Sequence, residues 1–519
     1  MELEKKGTAH LIPPKPAVSA IEGKALVSKR EPISPETISG SFKKEGFPKV
    51  LPGLLEPFLG DDGIVYIFCS DKGNIYVTPL GSQHGQALIT LLASEHSVVL
   101  SKTDRLELSE KLETLAILQK TIKPVWYRVA PYQDGVEIDL GDEAHNRVRI
   151  TPGCVETIES GSQSLFVRSP VMKAMAMPAE HGDHKLLQKY LPNLAYFDFL
   201  LLIGWITYTL AHPKIATSKY VILVLEAGQG RGKSFLCNTV IGSLIDPNLV
   251  GTQLMHSNHK DLTIAGRNAH VLMFDNIRSF SPAMSDILCI ASTGGATSSR
   301  ALYTNDGQNV MRLHVAMVLN GIHPFITQSD LAQRCLPITL KPLSTANRKS
   351  EKALIAEFNA DLPVIQKGIF ELTASIMKHL PEADVLYPER MLDFSHWLAG
   401  LELALDHPRE RLGAIQEHYS EALKQGQRNS LEDSLLGATV VAFTEGLDNE
   451  SWSGSPSDLY QALTAMLTPS TAKSRDWPQS QIALSKRLRP LQPALLSQNI
   501  DIAFSRGKER TITISKIKD

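Results

Sequence analysis

The apolar positions change rhythm several times along the chain, and those changes divide it. Residues 1–50 have no apolar period and carry Pro13, Pro14, Pro16, Pro32 and Pro35, which block regular structure. They read as a disordered or extended arm. Residues 51–185 alternate on a short period: IVYIFC (64–69) and NIYV (74–77) predict two strands across SDKG. A helical pattern follows at 104–120, then short strands at 126–130, 136–140, 148–151 and 165–168, so a mixed α+β domain is expected. A greasy helical stretch at 186–212 leads into 186–345, where YVILVL (220–225), HVLMF (270–274) and LHVAMVL (313–319) are near-continuous apolar runs. Such runs suit strands buried on both faces of a parallel sheet covered by helices. Residues 346–450 carry a helical period, and 451–519 read as helix, helix and hairpin.

The first of the long apolar runs ends in chemistry. After YVILVL come Glu226, Ala227, Gly228, Gln229, Gly230, Arg231, Gly232, Lys233, Ser234 and Phe235. A buried strand, a glycine-rich loop, Gly-Lys-Ser and a helix form the P-loop arrangement, in which Ala227 replaces the usual first glycine. Backbone amides of Ala227–Phe235 would cradle phosphate at the helix N-terminus. Lys233 would reach the β- and γ-phosphates of ATP, and Ser234 would ligate Mg2+.

The other two runs also end in polar residues. HVLMF ends in Asp275, placed to hold the metal from a strand beside the P-loop strand. Asn276 follows, where many P-loop ATPases have a glutamate; an amide orients water but accepts no proton at neutral pH. Glu226, nearest in sequence, is the candidate base, and it reads equally well as a strand-end charge. LHVAMVL ends in Asn320, placed to touch the γ-phosphate or the lytic water. Arg334 in DLAQRCLPITL stands where an arginine can reach a neighbour's nucleotide. Between these runs, Asp306-Gly307 marks a hairpin whose Arg300 is a candidate phosphate contact.

Composition narrows the partners. The 519 residues carry a formal net charge of −2, so a nucleic-acid surface has to be a local patch. One patch is at the C-terminus. QIALSKRLRPL places Lys486, Arg487 and Arg489 on a helix, and IDIAF and RTITI flank a loop with Arg506 and Lys508. Helix, basic helix and hairpin with a basic tip fit a winged helix that grips duplex DNA; the same module can serve protein contacts. The 5 cysteines include no C-x-x-C pair, so a reducing compartment fits. His181/His184 and His256/His259 lack a third ligand, and Asp139 with Asp142 reads as a strand end and polar turn. Phe199–Ile206 is too short to span a membrane, and MELEKKGTAH has no apolar core of a secretion signal. The expected location is the cytoplasm.

The pieces EAGQGRGKS, LMFDNIRSFSPAMSDILCIASTGGATSSRALYT, VLNGI and DLAQRCLPITL resemble superfamily 3 helicases. More narrowly, they resemble the poxvirus-type helicase–primase ATPases of phages, satellites and integrative elements. The resemblance implies a multidomain α/β protein with an AAA+-like core, a hexameric ring that hydrolyses ATP between subunits and threads single-stranded DNA through its pore. It implies Asn320 as sensor and Arg334 as a finger acting in trans. The hairpin tip TNDGQN lacks the lysine or histidine such helicases present to DNA, and 1–200 lack a paired-aspartate primase motif. A separate primase or other replication partner is therefore expected. The leading reading is an oligomeric DNA helicase/ATPase for a mobile element. The alternatives are an ATP-dependent DNA-sensing or defence switch, and an initiator that uses ATP for assembly.

Overall fold

The computed structural model describes residues 55–517, except 72–73, 96, 160–163, 257, 301–307, 323–324, 327, 344–349, 448–449, 475 and 507–509. The expected arm, the Asp306-Gly307 turn and Lys508 lie outside the described residues.

The N-terminal part builds two sheets. Strands β1 (Leu55–Gly60), β2 (Val65–Asp71) and β3 (Asn74–Pro79) pair antiparallel, and helices α1 (Gln83–Glu95) and α2 (Lys102–Gln119) follow. Ser101 and Asp104 cap α2 reciprocally, which fixes its start. The short β4 (Ile122–Lys123) adds parallel to β1. Leu55, Ile67, Ile89, Leu92 and Leu108 form a core of their own. The second sheet is an antiparallel meander of β5 (Val129–Tyr132), β6 (Gly135–Asp139), β7 (Arg147–Thr151) and β8 (Cys154–Ile158). Residues 165–168 form only isolated bridges, Phe166 to Trp126 and Val167 to Val77.

Helix α3 (Tyr196–Ala211) is buried on every side from Phe199 onward. Among the described residues no helix is long and apolar enough to cross a membrane. Strand β9 (Ile222–Glu226) enters the loop that precedes a π-helical stretch, Phe235–Ile241, which tightens into α4 (Gly242–Ile245). Then come β10 (Thr252–Gln253), α5 (His259–Arg267), β11 (Val271–Ile277), α6 (Pro282–Thr293), the hairpin β12 (Gly295–Arg300) and β13 (Gln308–Leu313), β14 (Ala316–Gly321), α7 (Ser329–Ala332) and β15 (Cys335–Thr339). The run LHVAMVL is thus split, with Leu313 ending the hairpin and Ala316 opening a sheet strand. The central sheet runs β10-β11-β14-β9-β15, and every pairing in it is parallel. β14 therefore lies between the P-loop strand and the Asp275 strand. The expectation that those two are neighbours is corrected: both of β11's sides are taken, by β10 and β14.

Helices α8 (Glu351–His379), α9 (Leu392–Ala404), α10 (Ala414–Asp433) and α11 (Leu435–Glu445) complete the helical segment. One continuous core joins Val129 and Ile150 of the meander, α3, the P-loop helix, one face of the central sheet and α8–α10 as far as Leu423. The sequence boundaries at 185 and 345 cut across it. The second face of the sheet packs separately, around Ile222, Val224, Leu272, Phe274 and Leu319.

The C-terminal unit is β16 (Ser451–Gly454), α12 (Pro456–Ala465), α13 (Pro469–Ala472), α14 (Gln481–Leu488), α15 (Gln492–Leu496), β17 (Ile500–Arg506) and β18 (Arg510–Lys516). The strands form an antiparallel sheet in the order β16-β18-β17. Its core includes Leu436 and Val440, so α11 packs with this unit, and Leu431 at the end of α10 joins the same core.

Candidate nucleotide site and basic groove

The alternation of side chains along β9, β11 and β14 decides what faces the P-loop helix. Leu223 and Leu225, Val271 and Met273, and Ala316 and Val318 share a core with Phe235, Leu236 and Val240 of that helix. Continuing the period of two carries Asp275 and Asn320 to the same face. Ile222 and Val224 lie in the other core, and the same period puts Glu226 on the opposite face. There Glu226 lines a cavity of about 540 Å³ with Pro337, Thr339, His418, Lys424 and Arg428. The structure thus brings Lys233, Asp275 and Asn320 together and leaves Glu226 apart.

Gly230 and Gly232 have φ of 70° and 80°. Those left-handed values suit glycine and would strain a side chain. Lys233 Nζ donates to the Ala227 carbonyl and, at 3.1 Å, to the Gly321 carbonyl at the tip of β14. Burial holds its pKa below the usual lysine value, and the Asp275 charge works against that shift. Beneath the loop, the Cys237 thiol is pushed up to about 12, by burial first and then by Asp275. Ser234 is exposed. Two anchors fix the loop from its far side. Arg231 Nη1 donates to the Leu340 carbonyl at 2.9 Å. Asn193 Nδ2 donates to the carbonyls of Arg231 at 2.9 Å and Lys341 at 3.1 Å. Nothing in the sequence around Asn193 marks it, because its partners lie far along the chain.

Asn276 has φ of 58°, and its amide donates to Asp275 Oδ1 at 2.6 Å. The β11–β14 register slips between Phe274 and Ile277, so Asp275 and Asn276 sit on a bulge, with Asn276 exposed. Asn320 is 0% exposed, and neither amide atom has a hydrogen-bond partner among the described residues. Buried polar groups are normally paired, so this side chain marks a place where a polar group fits.

Arg334 precedes β15, whose Cys335 pairs with Ile222 and whose Thr339 pairs with Glu226. It therefore lies at the end of the sheet opposite the P-loop. Its Nε meets Asp330 Oδ2 at 3.4 Å, and Arg390 Nη1 meets Asp330 Oδ1 at 2.5 Å.

Two other expected residues have different partners. Asp139 ends β6 and accepts from the Gly141 amide at 3.2 Å in a polar turn, as expected, and its buried carboxylate is also gripped by Arg168 through two contacts, 2.6 and 2.8 Å. Arg300 closes β12, and its side chain lies outside the described set, as does that of Arg506 at the end of β17.

At the C-terminal sheet, an open groove of about 1160 Å³ is lined by Lys486, Arg489, Arg510, Phe504 and the first turn of α12. The Arg489 guanidinium lies 4.2 Å from the Phe504 ring centre. Arg487 points elsewhere, donating to the Asp476 carbonyl at 2.9 Å, and it does not line the groove. Arg510 does. It opens β18 opposite Arg506, and sequence reasoning misses it because the strand, not the loop, presents it to the groove.

Comparison with known proteins adds two family matches. Residues 199–416 match the model of an actinomycete integrative conjugative element replication protein. Residues 436–519 match the model of the AICE RepA C-terminal domain. The chain is therefore similar, over the central sheet, helical segment and C-terminal unit, to a replication protein of a mobile element. No curated protein matches it. Among solved structures, the apo C-terminal region of NrS-1 aligns at 11% identity and a TM-score of 0.37, covering 94% of this chain and 100% of that one. A ligand-bound JCV helicase aligns at 13% identity and a TM-score of 0.20, covering 44% of this chain and 67% of that one. Alignments this weak carry no argument.

Proposed function

We propose that this chain is an ATP-dependent replication ATPase of an integrative mobile element, working as an AAA+-like helicase of superfamily 3. The observation that carries this reading is the convergence of Lys233, Asp275 and buried Asn320 at the C-terminal ends of three parallel strands around a P-loop. The strand order β10-β11-β14-β9-β15, with a strand inserted between those of Lys233 and Asp275, supports the AAA+-like assignment. The residues fit a nucleotide and its metal: positive-φ glycines, a lysine now held by two carbonyls, and an unpaired amide on the same face.

Bound ATP and Mg2+ would supply the phosphoanhydride and the charge that draws electrons from it. Lys233 exchanges its carbonyls for phosphate oxygens, with Ser234 and Asp275 as the metal's protein ligands. Asn320 orients the lytic water, and Arg334 reaches a neighbouring subunit's nucleotide. The C-terminal unit, read as a winged helix, holds duplex DNA in its basic groove, while the β12–β13 hairpin faces single-stranded DNA in the ring's pore.

Lys233→Ala should abolish ATP hydrolysis while leaving the fold intact, measured as phosphate release in the presence of DNA. Wild-type turnover in that variant would refute the assignment. One observation favours a second reading, an initiator or DNA-sensing switch that uses ATP mainly for assembly. Asn276 stands where a base is usual, and Glu226 occupies the opposite face. Strand displacement on a forked duplex separates the two: unwinding with ATP but not with a non-hydrolysable analogue supports the helicase, and ATPase without unwinding supports the switch.

A further inference from the structure

Arg334 has company at its end of the sheet. Asp330, on α7, bridges two guanidiniums: Arg334 from the turn between α7 and β15, and Arg390 from the loop before α9. Arg390 Nη1 also donates to Gln333 Oε1 at 3.0 Å, so the loop is tied to the same turn. Two guanidiniums against one carboxylate leave this cluster an excess positive charge. Its outer edge is open to solvent: the side chains of Asp330 and Arg390 are 54% and 38% exposed, whereas Arg334 is 15% exposed and mostly covered.

The cluster cannot serve its own P-loop. The strand β15 spans 5 residues, about 16 Å at 3.3 Å per residue, and separates the two. Nor does stability account for it, because a solvent-exposed ion pair contributes only about 0–1 kcal/mol. A planar guanidinium suits phosphate, and the Asp330 carboxylate occupies both arginines in the same way that phosphate oxygens would.

We infer that Arg390 is a second trans-acting arginine, and that Arg334 and Arg390 together form a docking surface for the nucleotide phosphates of a second copy of this chain, with Asp330 holding both until that copy arrives. This rests on the ATPase reading above. A neighbour's phosphates displace the Asp330 carboxylate, and the two guanidiniums then meet the charge that develops as the terminal phosphate leaves.

The test uses full-length protein with DNA. Arg390→Ala should bind a fluorescent ATP analogue as the wild type does, assemble to the same size by light scattering, and lose about 10²-fold in turnover, the loss typical of removing one preorganised donor. Mixing it with Lys233→Ala should restore activity, since each supplies what the other lacks across an interface. A residue with a merely structural role within its own subunit gives no such rescue. Arg390→Lys keeps the charge but not the planar fork, and should fall between wild type and Arg390→Ala. Full activity in Arg390→Ala overturns the inference, as does failure of rescue once labelled subunits show exchange. If Arg390→Ala does not fold, wild-type turnover in Arg390→Lys overturns it instead. A wild type with no ATPase activity would refute the ATPase reading itself, which separates the two failures.

Discussion

Asn320 allows stability and activity to be set against each other. Its side chain is fully buried, faces the P-loop helix, and has no partner among the described residues for either amide atom. Each buried unsatisfied group costs roughly 1–3 kcal/mol. Asn320→Leu removes both and buries a side chain of similar volume. The apolar gain is about 1.5–3 kcal/mol for full burial, offset by about 1–3 kcal/mol if the bulkier methyl groups overpack. The variant without nucleotide should therefore be at least as stable as wild type, since the two unsatisfied groups removed are together worth on the order of 2–6 kcal/mol. Turnover should move the other way, falling about 10²–10³-fold, because a preorganised polar contact to the reacting group has been removed. An added non-hydrolysable ATP analogue with Mg2+ should stabilise the wild type more than the variant, since only the wild type gains an amide partner at the γ-phosphate. Urea midpoints with and without nucleotide, alongside steady-state phosphate release, measure all three. If Asn320→Leu is destabilised without nucleotide by more than about 1 kcal/mol, the amide has structural partners and does not await a ligand. Unchanged turnover refutes its role equally.

Two further outcomes follow from other parts of the molecule. Replacing Lys486, Arg489 and Arg510 with alanine should weaken duplex binding and flatten the slope of log affinity against log salt by about 0.9 for each phosphate no longer neutralised, whereas Arg487→Ala, whose side chain is held by Asp476, should leave the slope unchanged; equal slopes in all variants would point to a protein-binding role instead. His270 is fully buried and its pKa is pushed down to about 4, first by burial and then by the Lys214 ammonium. The unfolded histidine titrates near 6.5, so between pH 6.5 and 4 the unfolded chain binds the extra proton and stability falls as pH falls, by about 1.4 kcal/mol per unit from this residue. His270→Gln should remove that part of the slope, and identical slopes would refute it.

How much of this is legible in the sequence depends on how far apart the interacting residues lie. The P-loop can be read because strand, glycines, lysine and helix are contiguous, and Gly230 and Gly232 sit where the backbone turns left-handed. Asp275 and Asn320 are visible as polar ends of apolar runs. Their shared face is not visible, because two strands of opposite phase look alike until the sheet order is known. Glu226 shows the limit: Ile222, Val224 and Glu226 plainly share a side, but only the packing of Leu223 and Leu225 against Phe235 tells which side carries the loop. Asn193, Arg390 and Arg510 escape sequence reasoning for the same reason, since each gains its meaning from residues distant in sequence. The core that joins Val129 to Leu423 crosses the segment boundaries at 185 and 345, which composition could not show because composition is local.

The placement of the two half-sites also constrains assembly. Lys233, Asp275 and Asn320 lie at the C-terminal end of the central sheet, and Arg334 with Arg390 at the other. On the trans-acting reading, one subunit's C-terminal end must meet the next subunit's opposite end. Such a contact joins different surfaces and is heterologous, so it cannot be completed by a two-fold dimer. It closes into a ring or continues as a filament, and in either case a dimer holds one complete site and one half-site at each free end. Turnover per subunit should then rise with protein concentration well beyond the point at which dimers form. A plateau reached at the dimer would mean that a subunit completes its own site, and would remove both arginines from the reaction.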